Sequence, residues 1–163
     1  MYKLLSLLFF VFWFAKSAES QTSDSTKVNS LEQQFSDSIA QINIQNEHLK
    51  SSRDAYNEGL ILMKNENYSE AIPYFTKSIA IDSIFFQAYL SRAKCYEKSD
   101  DNLAITDYLK TFGLDSTNLL PLYAVASLYL KKDKAEAEEM YTTILFLNSD
   151  EYMALNQLGI IAF

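Results

Sequence analysis

The chain has 163 residues, 48% of them hydrophobic, so one domain can bury a sizeable core. Three glycines and two prolines are too few for a turn-rich β protein, and the composition favours helices. A net charge of −7 repels phosphate backbones and anionic lipid heads, which argues against nucleic acid as a partner. The single cysteine, Cys95, excludes an internal disulfide framework.

Residues 1–20 have the order of a secretory signal peptide. A cation at Lys3 precedes an apolar run from Leu4 to Ala15, and small polar residues follow. The run is shorter than the roughly 20 apolar residues that span a membrane. Small residues at alternate positions fit cleavage after Ser20, which we favour, or after Ser17, and an uncleaved membrane anchor is the alternative. We therefore expect export to the periplasm or to the extracellular space, with no membrane insertion after cleavage.

Residues 21–30 and 31–50 differ in character. The first segment is Ser/Thr-rich and nearly free of large apolar groups, which predicts a flexible linker. The second has apolar residues at spacings of three, four and seven, which predicts an N-terminal amphipathic helix. The residues of its stripe are Leu31, Phe35, Ile39, Ile42 and Leu49.

A repeat begins after Asp54. Positions carrying a small residue, an aromatic ring and a serine return at steps of 33 residues, and an upstream small residue returns at steps of 34, 33 and 33. Such periods mark stacked supersecondary units. The recurring sets are Ala71, Ala104 and Ala137; Phe75, Tyr108 and Tyr141; Ser83, Ser116 and Ser149; and Gly59, Ala93, Ala126 and Gly159.

Each unit is predicted to be a pair of antiparallel helices. Small residues let the two helices cross closely, in the pairs Gly59 with Ala71, Ala93 with Ala104, and Ala126 with Ala137. The aromatic residue one turn later fills the wedge between them and touches the next unit, so stacking is obligatory. We expect Asn65, Ser99 and Asp133 to cap the second helices. The closing "DS", "DS" and "NS" pairs should turn the chain through Asx-type hydrogen bonds and cap the following helices.

These residues resemble the tetratricopeptide repeat, a helix hairpin of 34 residues with small and aromatic residues at fixed places. The resemblance implies an all-α, tetratricopeptide-type α-solenoid over residues 51–163. Its repeats fall at about 52–85, 86–118 and 119–151, with the first helix of a fourth at 152–163. Serine stands where the family has a closing proline, at Ser83, Ser116 and Ser149, and the second and third repeats lack one residue in the turn between helices.

The resemblance also implies a scaffold that holds a protein or peptide partner on a concave face built from the first helix of each repeat. Helical spacing i, i+4, i+7 puts one stripe of each such helix on that face. The predicted partner-binding residues are Tyr56, Leu60, Met63, Leu90, Lys94, Glu97, Tyr123, Ser127 and Leu130, followed by Asn156, Ile160 and Phe163 in the partial repeat. The alternative for each is that it seals a joint between repeats. We favour Tyr56 and Tyr123 as binding residues, because tyrosine gives rigid contact area.

Other chemistry finds little support. Some members of the family grip C-terminal carboxylates with cations, but Tyr56, Leu60, Ser91, Tyr123 and Ser127 occupy the matching positions, so we reject that specialised function. His48 and Cys95 are too few for a zinc or nucleophilic site, and Cys95 is expected to pack as a small hydrophobe. The acids Asp100 and Asp101 are expected to open a helix. We predict no cofactor, no metal and no enzymatic activity.

The sequence thus predicts an exported scaffold that binds a protein or peptide. Two alternatives stay open because the partial repeat has no second helix to cover Leu158, Ile160, Ile161 and Phe163. One is a structural element that self-associates through its C-terminal helix. The other is a sensory or input part of a larger exported or membrane regulatory protein.

Overall fold

The computed structural model describes residues 25–162, and within this range the chain forms seven helices and no strand. Their bounds are α1 Ser25–Lys64, α2 Tyr68–Ile81, α3 Phe86–Tyr96, α4 Asp101–Leu114, α5 Leu120–Leu130, α6 Lys134–Leu147 and α7 Tyr152–Ile161. From α2 onward, each helix packs against the next along the chain. The all-α prediction is confirmed, and the predicted repeat starts at 86, 119 and 152 lie within one residue of the starts of α3, α5 and α7.

Helix α1 corrects the predicted order near the N-terminus. It begins at Ser25, so the linker prediction is wrong from that residue onward, while residues 21–24 and the predicted signal peptide lie outside the described residues. Neither glycine nor proline occurs from Gln21 to Glu58, so nothing interrupts the helix before the first repeat. The predicted helix 31–50 and the first helix of the first repeat are therefore one helix. The described chain divides after Glu47 into two compact units, and the repeats belong to the second.

Small residues occupy the predicted helix crossings. The prediction is confirmed for the alanines at these points, which are all fully buried: Ala71, Ala93, Ala104, Ala126 and Ala137. Gly59 is buried too, and a Cβ atom added to it would lie 2.7 Å from Cε1 and 2.9 Å from Cδ1 of Phe75. That is well inside the contact distance of two carbon atoms. The first crossing therefore accepts only glycine without displacing the ring.

The recurring aromatic residues join neighbouring repeats, as the sequence predicts. Phe75, Tyr108 and Tyr141 are at most 4% exposed. Each shares a buried cluster with a residue of the following repeat, in the pairs Phe75 with Cys95, Tyr108 with Val125, and Tyr141 with Ala154. Cys95 is 1% exposed in its cluster, which confirms that it packs as a small hydrophobe. The core is therefore continuous from one hairpin to the next.

Two of the three predicted helix caps are wrong. Helix α4 is capped by Asp100 rather than Ser99, because the Asp100 carboxylate accepts hydrogen bonds from the N–H groups of residues 102 and 103 at 2.9 and 3.1 Å. Helix α2 starts after Asn67, not at Asn65, and Asn67 makes no side-chain cap bond. The longer turn of the first repeat explains the shift, since Glu66 takes a φ of 64° there. Asp133 caps α6 as predicted.

The turns that close the repeats follow the prediction only in part. The side chains of Asp82, Asp115 and Asn148 each accept a hydrogen bond from the backbone N–H two residues further on, which confirms the Asx-type turns. They do not cap the following helices, whose N-terminal capping residues are Phe85, Leu119 and Glu151, without side-chain cap bonds. The oxygen atoms expected at the helix ends are used in the turns instead.

Two polar links lie inside the repeats. The Ser52 hydroxyl bonds both the carbonyl oxygen and the hydroxyl of Ser78 at 3.0 Å, and both serines are fully buried. The Arg92 guanidinium donates two hydrogen bonds to Asp107, at 2.7 and 2.8 Å. This pairing raises the pKa of Arg92, against the opposing effect of burial. Because the Asp107 side chain is only 6% exposed, the pair ties α3 to α4 with little screening by water.

Substituting Gly59 by alanine should destabilise the repeats. The added methyl group overlaps the Phe75 ring, and such overpacking costs about 1–3 kcal/mol, which exceeds the gain of about 1 kcal/mol from helix propensity. Gly159 holds the equivalent place in the partial repeat, and a Cβ there meets nothing within 4 Å. We expect urea denaturation to show a loss for Gly59→Ala and no loss for Gly159→Ala. Equal midpoints for the two variants would contradict the crossing argument.

Removing one partner of the Arg92–Asp107 pair should cost more than removing both. Asp107→Ala leaves the half-buried Arg92 charge with the Thr76 hydroxyl as its remaining side-chain acceptor, and we expect a loss of about 2–3 kcal/mol in the free energy of unfolding. The double variant Arg92→Met, Asp107→Leu should regain part of that loss, because apolar side chains replace the pair. Thermal or urea unfolding of the double-mutant cycle measures this coupling, and additive effects would refute it.

Candidate functional site

The candidate site is the face formed by the first helices of the repeats, namely the end of α1, then α3, α5 and α7. We call it the first-helix face. Nine of its residues are predicted from the sequence as partner-binding, namely Tyr56, Leu60, Met63, Leu90, Lys94, Glu97, Tyr123, Ser127 and Leu130. Helical spacing puts each trio on one stripe of its helix. In the structure six of the nine are half-buried, and the other three, Lys94, Glu97 and Ser127, are exposed.

Tyr56 lies at the joint between the first and second repeats. Its ring centroid is 5.7 Å from that of Phe75 and 4.9 Å from that of Phe85, both in tilted geometry. Its hydroxyl accepts a long hydrogen bond of 3.5 Å from Ser91. One side of the ring thus stabilises the joint. The remaining exposed part is what a partner could contact.

Tyr123 holds the corresponding place two repeats later and is anchored more firmly. Its hydroxyl donates a hydrogen bond of 2.9 Å to Glu151, just before α7, and its ring centroid is 6.3 Å from that of Tyr141. Burial, and then the bond to Glu151, raises the pKa of Tyr123 to about 12. The phenol therefore stays protonated at neutral pH and holds α5 to the start of α7.

The aliphatic members of the face also contribute to the joints. Leu60 and Met63 pack against the buried cluster that contains Phe75, whereas Leu90 packs against the one that contains Tyr108. Leu130 packs against the third cluster, around Tyr141. Each remains half-buried rather than buried. These side chains form the floor of the face, and their partial exposure offers apolar contact area to a ligand.

The three exposed members are polar. Glu97 accepts a hydrogen bond from the Tyr108 hydroxyl, so its carboxylate is held at the end of α3. Burial, reinforced by Glu97, raises the pKa of Tyr108, which keeps that hydroxyl a donor. Lys94 lies one turn before Glu97 on the same stripe and Ser127 lies on the next first helix. The exposed members of the face therefore carry one cation, one carboxylate and one aliphatic hydroxyl.

The sequence prediction missed the outer turn of the same stripes. Residues three positions before Tyr56, Leu90, Tyr123 and Asn156 lie on the same helix faces one turn earlier, and they recur at the repeat step. They are Arg53, Gln87, Leu120 and Met153. Leu120 is 71% exposed and Met153 is 65% exposed, which makes them more accessible than either tyrosine. The step of 34, 33 and 33 residues was the signal that could have identified them.

The partial repeat extends the face. Asn156 is exposed and Ile160 is 59% exposed, whereas Phe163 lies outside the described residues. Met153, Asn156 and Ile160 therefore give α7 a stripe that carries both apolar and amide side chains. The most exposed large apolar side chains of the face therefore lie near the ends of α5 and α7. They are Leu120, Met153 and Ile160.

Cys95, Asp101 and His48 are the residues that a metal site or a catalytic site could have used. Burial raises the pKa of Cys95 to about 11, so its thiol stays protonated at neutral pH. Asp101 pairs with Lys132 at 3.1 Å, and His48 is exposed on α1. Within residues 25–162, no three His, Cys, Asp or Glu side chains converge to hold a metal ion. In the same range, no helix combines the length and apolar character needed to cross a membrane.

Comparison with protein families gives a match over most of the chain. The family model described as anaphase promoting complex subunit 8 / Cdc23 matches residues 14–157, which is most of the chain. None of the curated proteins matches the sequence significantly.

Solved structures share the fold at low sequence identity. The tetratricopeptide domain of Arabidopsis OM64 is 17% identical with a TM-score of 0.60, covering 71% of this chain and 97% of that one. The Yersinia enterocolitica type III secretion chaperone SycD, in complex with a peptide of the translocator YopD, is 18% identical with a TM-score of 0.60, covering 68% and 91%. The second tetratricopeptide domain of human RPAP3, in complex with an HSP70 peptide, is 22% identical with a TM-score of 0.57, covering 73% and 98%.

The family match and the structural neighbours agree with the helical repeats described above. The chain belongs to the anaphase promoting complex subunit 8 / Cdc23 family and is a tetratricopeptide repeat protein.

Proposed function

We propose that the chain is a non-enzymatic scaffold that binds a protein or peptide segment on its first-helix face. The observation that carries this proposal is the exposure of large apolar side chains on that face. Leu120, Met153 and Ile160 are between 59% and 71% exposed. Removing apolar surface from water is favourable by roughly 25 cal/mol per Å² before the entropy cost of association is counted, so these groups offer binding energy that the fold leaves unused.

The bound segment is proposed to be apolar, with polar groups that set its orientation. Lys94 and Glu97 provide opposite charges on one stripe of α3, which favours one direction of a polar or charged ligand over the other. Tyr56 and Tyr123 supply half-buried rings whose positions are already set by their neighbours. A rigid face loses little conformational freedom when it binds, which favours affinity.

Two structural neighbours support a peptide as the ligand. The Yersinia chaperone and the second human RPAP3 domain are both described with bound peptides. The ligand of this chain is proposed to differ from a terminal carboxylate, because no cation stands at Tyr56, Leu60, Ser91, Tyr123 or Ser127. An apolar segment, rather than an acidic chain end, fits these residues.

Self-assembly through α7 is a second candidate function, and one observation favours it. In the complete repeats the small residue of the first helix is buried against the second helix, but at Gly159 nothing lies within 4 Å of an added Cβ. Leu155 is 51% exposed on the same helix. A helix of a second copy could occupy this place. The variant Leu155→Glu, used below, separates this candidate from another mode of association.

Export is part of the proposal and rests on the order of residues 1–20. Lys3, the apolar run and the small residues before Gln21 support a signal peptide with cleavage after Ser20. When the chain is expressed in its native host, we expect Gln21 as the first residue of the mature protein. Edman degradation or mass spectrometry of the N-terminus measures this directly. Recovery of intact Met1 from the envelope fraction would contradict cleavage and support the membrane-anchor alternative.

Charges placed on the outer turn of the face should weaken peptide binding without unfolding the repeats. Random peptides displayed on phage can be selected on the purified chain, and their affinity measured by fluorescence anisotropy. For the double variant Leu120→Glu, Met153→Glu we expect affinity to fall by about tenfold or more, because each carboxylate replaces apolar contact area. Both side chains are exposed, so stability should be unchanged.

The matched control is Phe146→Glu. Phe146 is 90% exposed on α6, a second helix, and therefore lies off the first-helix face. This variant should bind the selected peptides as the unmodified chain does. If Phe146→Glu loses binding while the double variant keeps it, the ligand site is on the second helices and the proposal is wrong.

A further inference from the structure

A row of apolar side chains lies exposed on the part of α1 that precedes the repeats. Leu31, Phe35, Ile39 and Ile42 are each between 40% and 49% exposed, and half-buried Val28 begins the row. We call these five residues the N-terminal stripe. Exposing four large apolar side chains to water on one helical face is unfavourable in free energy, so we expect another surface to cover the stripe.

The spacing of the stripe fits a helix as the partner. Its steps are 3, 4, 4 and 3 residues, which is 14 residues over four steps, or 3.5 residues per step. This spacing matches the seven-residue repeat along which two helices pack in a left-handed coiled coil. Val28, Phe35 and Ile42 are seven residues apart, and Leu49 continues this step in the sequence. The partner is therefore a helix with the same repeat.

The polar positions of the heptads select the orientation of that helix. With Val28, Phe35 and Ile42 at the first position of each heptad, the fourth positions are Leu31, Ser38 and Gln45. In a parallel pair, first positions meet first positions, so apolar layers form. In an antiparallel pair, first positions meet fourth positions, and because Leu31 is the only apolar residue among these fourth positions, at most one first position could face an apolar residue in any register. We propose that the N-terminal stripe pairs with the stripe of a second copy of this chain as a parallel, in-register coiled coil.

The charges beside the stripe fit a second copy. Residues 27–50 contain two lysines and three acids, a net charge of −1, compared with −7 for the whole chain, so two copies repel little here. Lys27 flanks the first heptad and Glu32 lies five residues later on the other flank, the offset at which flanking residues of parallel helices meet. Ser38 and Gln45 place polar side chains at fourth positions, where the two helices of the coiled coil meet. They weaken this contact, so we expect a dissociation constant in the micromolar range.

Two neighbouring isoleucines give a matched test. Ile42 lies on the stripe and is 49% exposed, whereas Ile44 is 53% exposed and lies off it. Sedimentation velocity of the purified full chain, from about 1 to about 100 µM, should show a reversible dimer for the unmodified chain. Ile44→Glu should dimerise equally well. Ile42→Glu should weaken dimerisation by at least about tenfold, because two carboxylates would meet in the seam.

Other outcomes of this measurement overturn the proposal. They are a monomer at every concentration of the unmodified chain, an equal effect of the two isoleucine variants, or loss of the dimer in Leu155→Glu but not in Ile42→Glu. The last result would place association on α7. Ile42→Glu should also keep its affinity for the selected peptides, so a failure of peptide binding and a failure of pairing are separate results.

Disulfide cross-linking tests the parallel register. In Ile42→Cys, the new cysteines of two parallel copies meet in the seam and should form a covalent dimer on mild oxidation. Ile44→Cys should remain largely uncross-linked, and the buried Cys95 should not compete. Equal cross-linking of both variants, or dimer formation without an Ile42→Cys disulfide, would contradict a parallel pair.

Discussion

Close approach of paired helices is the constraint on which the repeats depend. At each crossing a side chain larger than alanine would separate the two helices, and at Gly59 even a methyl group meets the Phe75 ring at 2.7 Å. Once the helices touch there, they diverge one turn later, and the space is filled by Phe75, Tyr108 or Tyr141. Those rings also contact the following repeat, so closing one hairpin prepares the surface for the next.

The same packing accounts for the character of the first-helix face. Residues that seal the joints must be partly buried, and this applies to Tyr56 and Tyr123, which the sequence favours for binding. Sealing and binding are compatible, because a ring held by Phe85, or by a hydrogen bond to Glu151, needs no further ordering when a ligand arrives. Residues one turn earlier, such as Leu120, have no such packing and can give their whole surface to a ligand.

The sequence predicted the repeats well, because their period comes from packing and every copy repeats the same demand. It predicted Ala71, Ala104 and Ala137 at the crossings, and all three are fully buried. It was less reliable where neighbouring residues have similar chemistry, as with Ser99 and Asp100, since either can cap a helix. The repeat step gives the positions of Leu120 and Met153 on their stripes, but not how far they are exposed, which depends on how closely the joints pack around each stripe.

The error in the predicted linker has a different origin. Serine and threonine from Ser25 to Ser30 suggest a loop when considered alone, but extending an existing helix by one residue avoids the cost of nucleation. The absence of glycine and proline up to Glu58 allows that extension. Composition therefore misled where continuity with a long helix decided the structure.

Helix α1 uses one spacing for two kinds of contact. Its buried residues Ser52, Ala55 and Gly59 lie at steps of 3 and 4 and pack within the first hairpin. The apolar residues from Leu31 to Ile42 have steps of the same size, but they precede the repeats and are between 40% and 49% exposed. An uninterrupted helix can serve both, because this spacing brings side chains to one face along its whole length. On the proposed pairing, one helix thus supplies the first hairpin of the repeats and the contact between two copies.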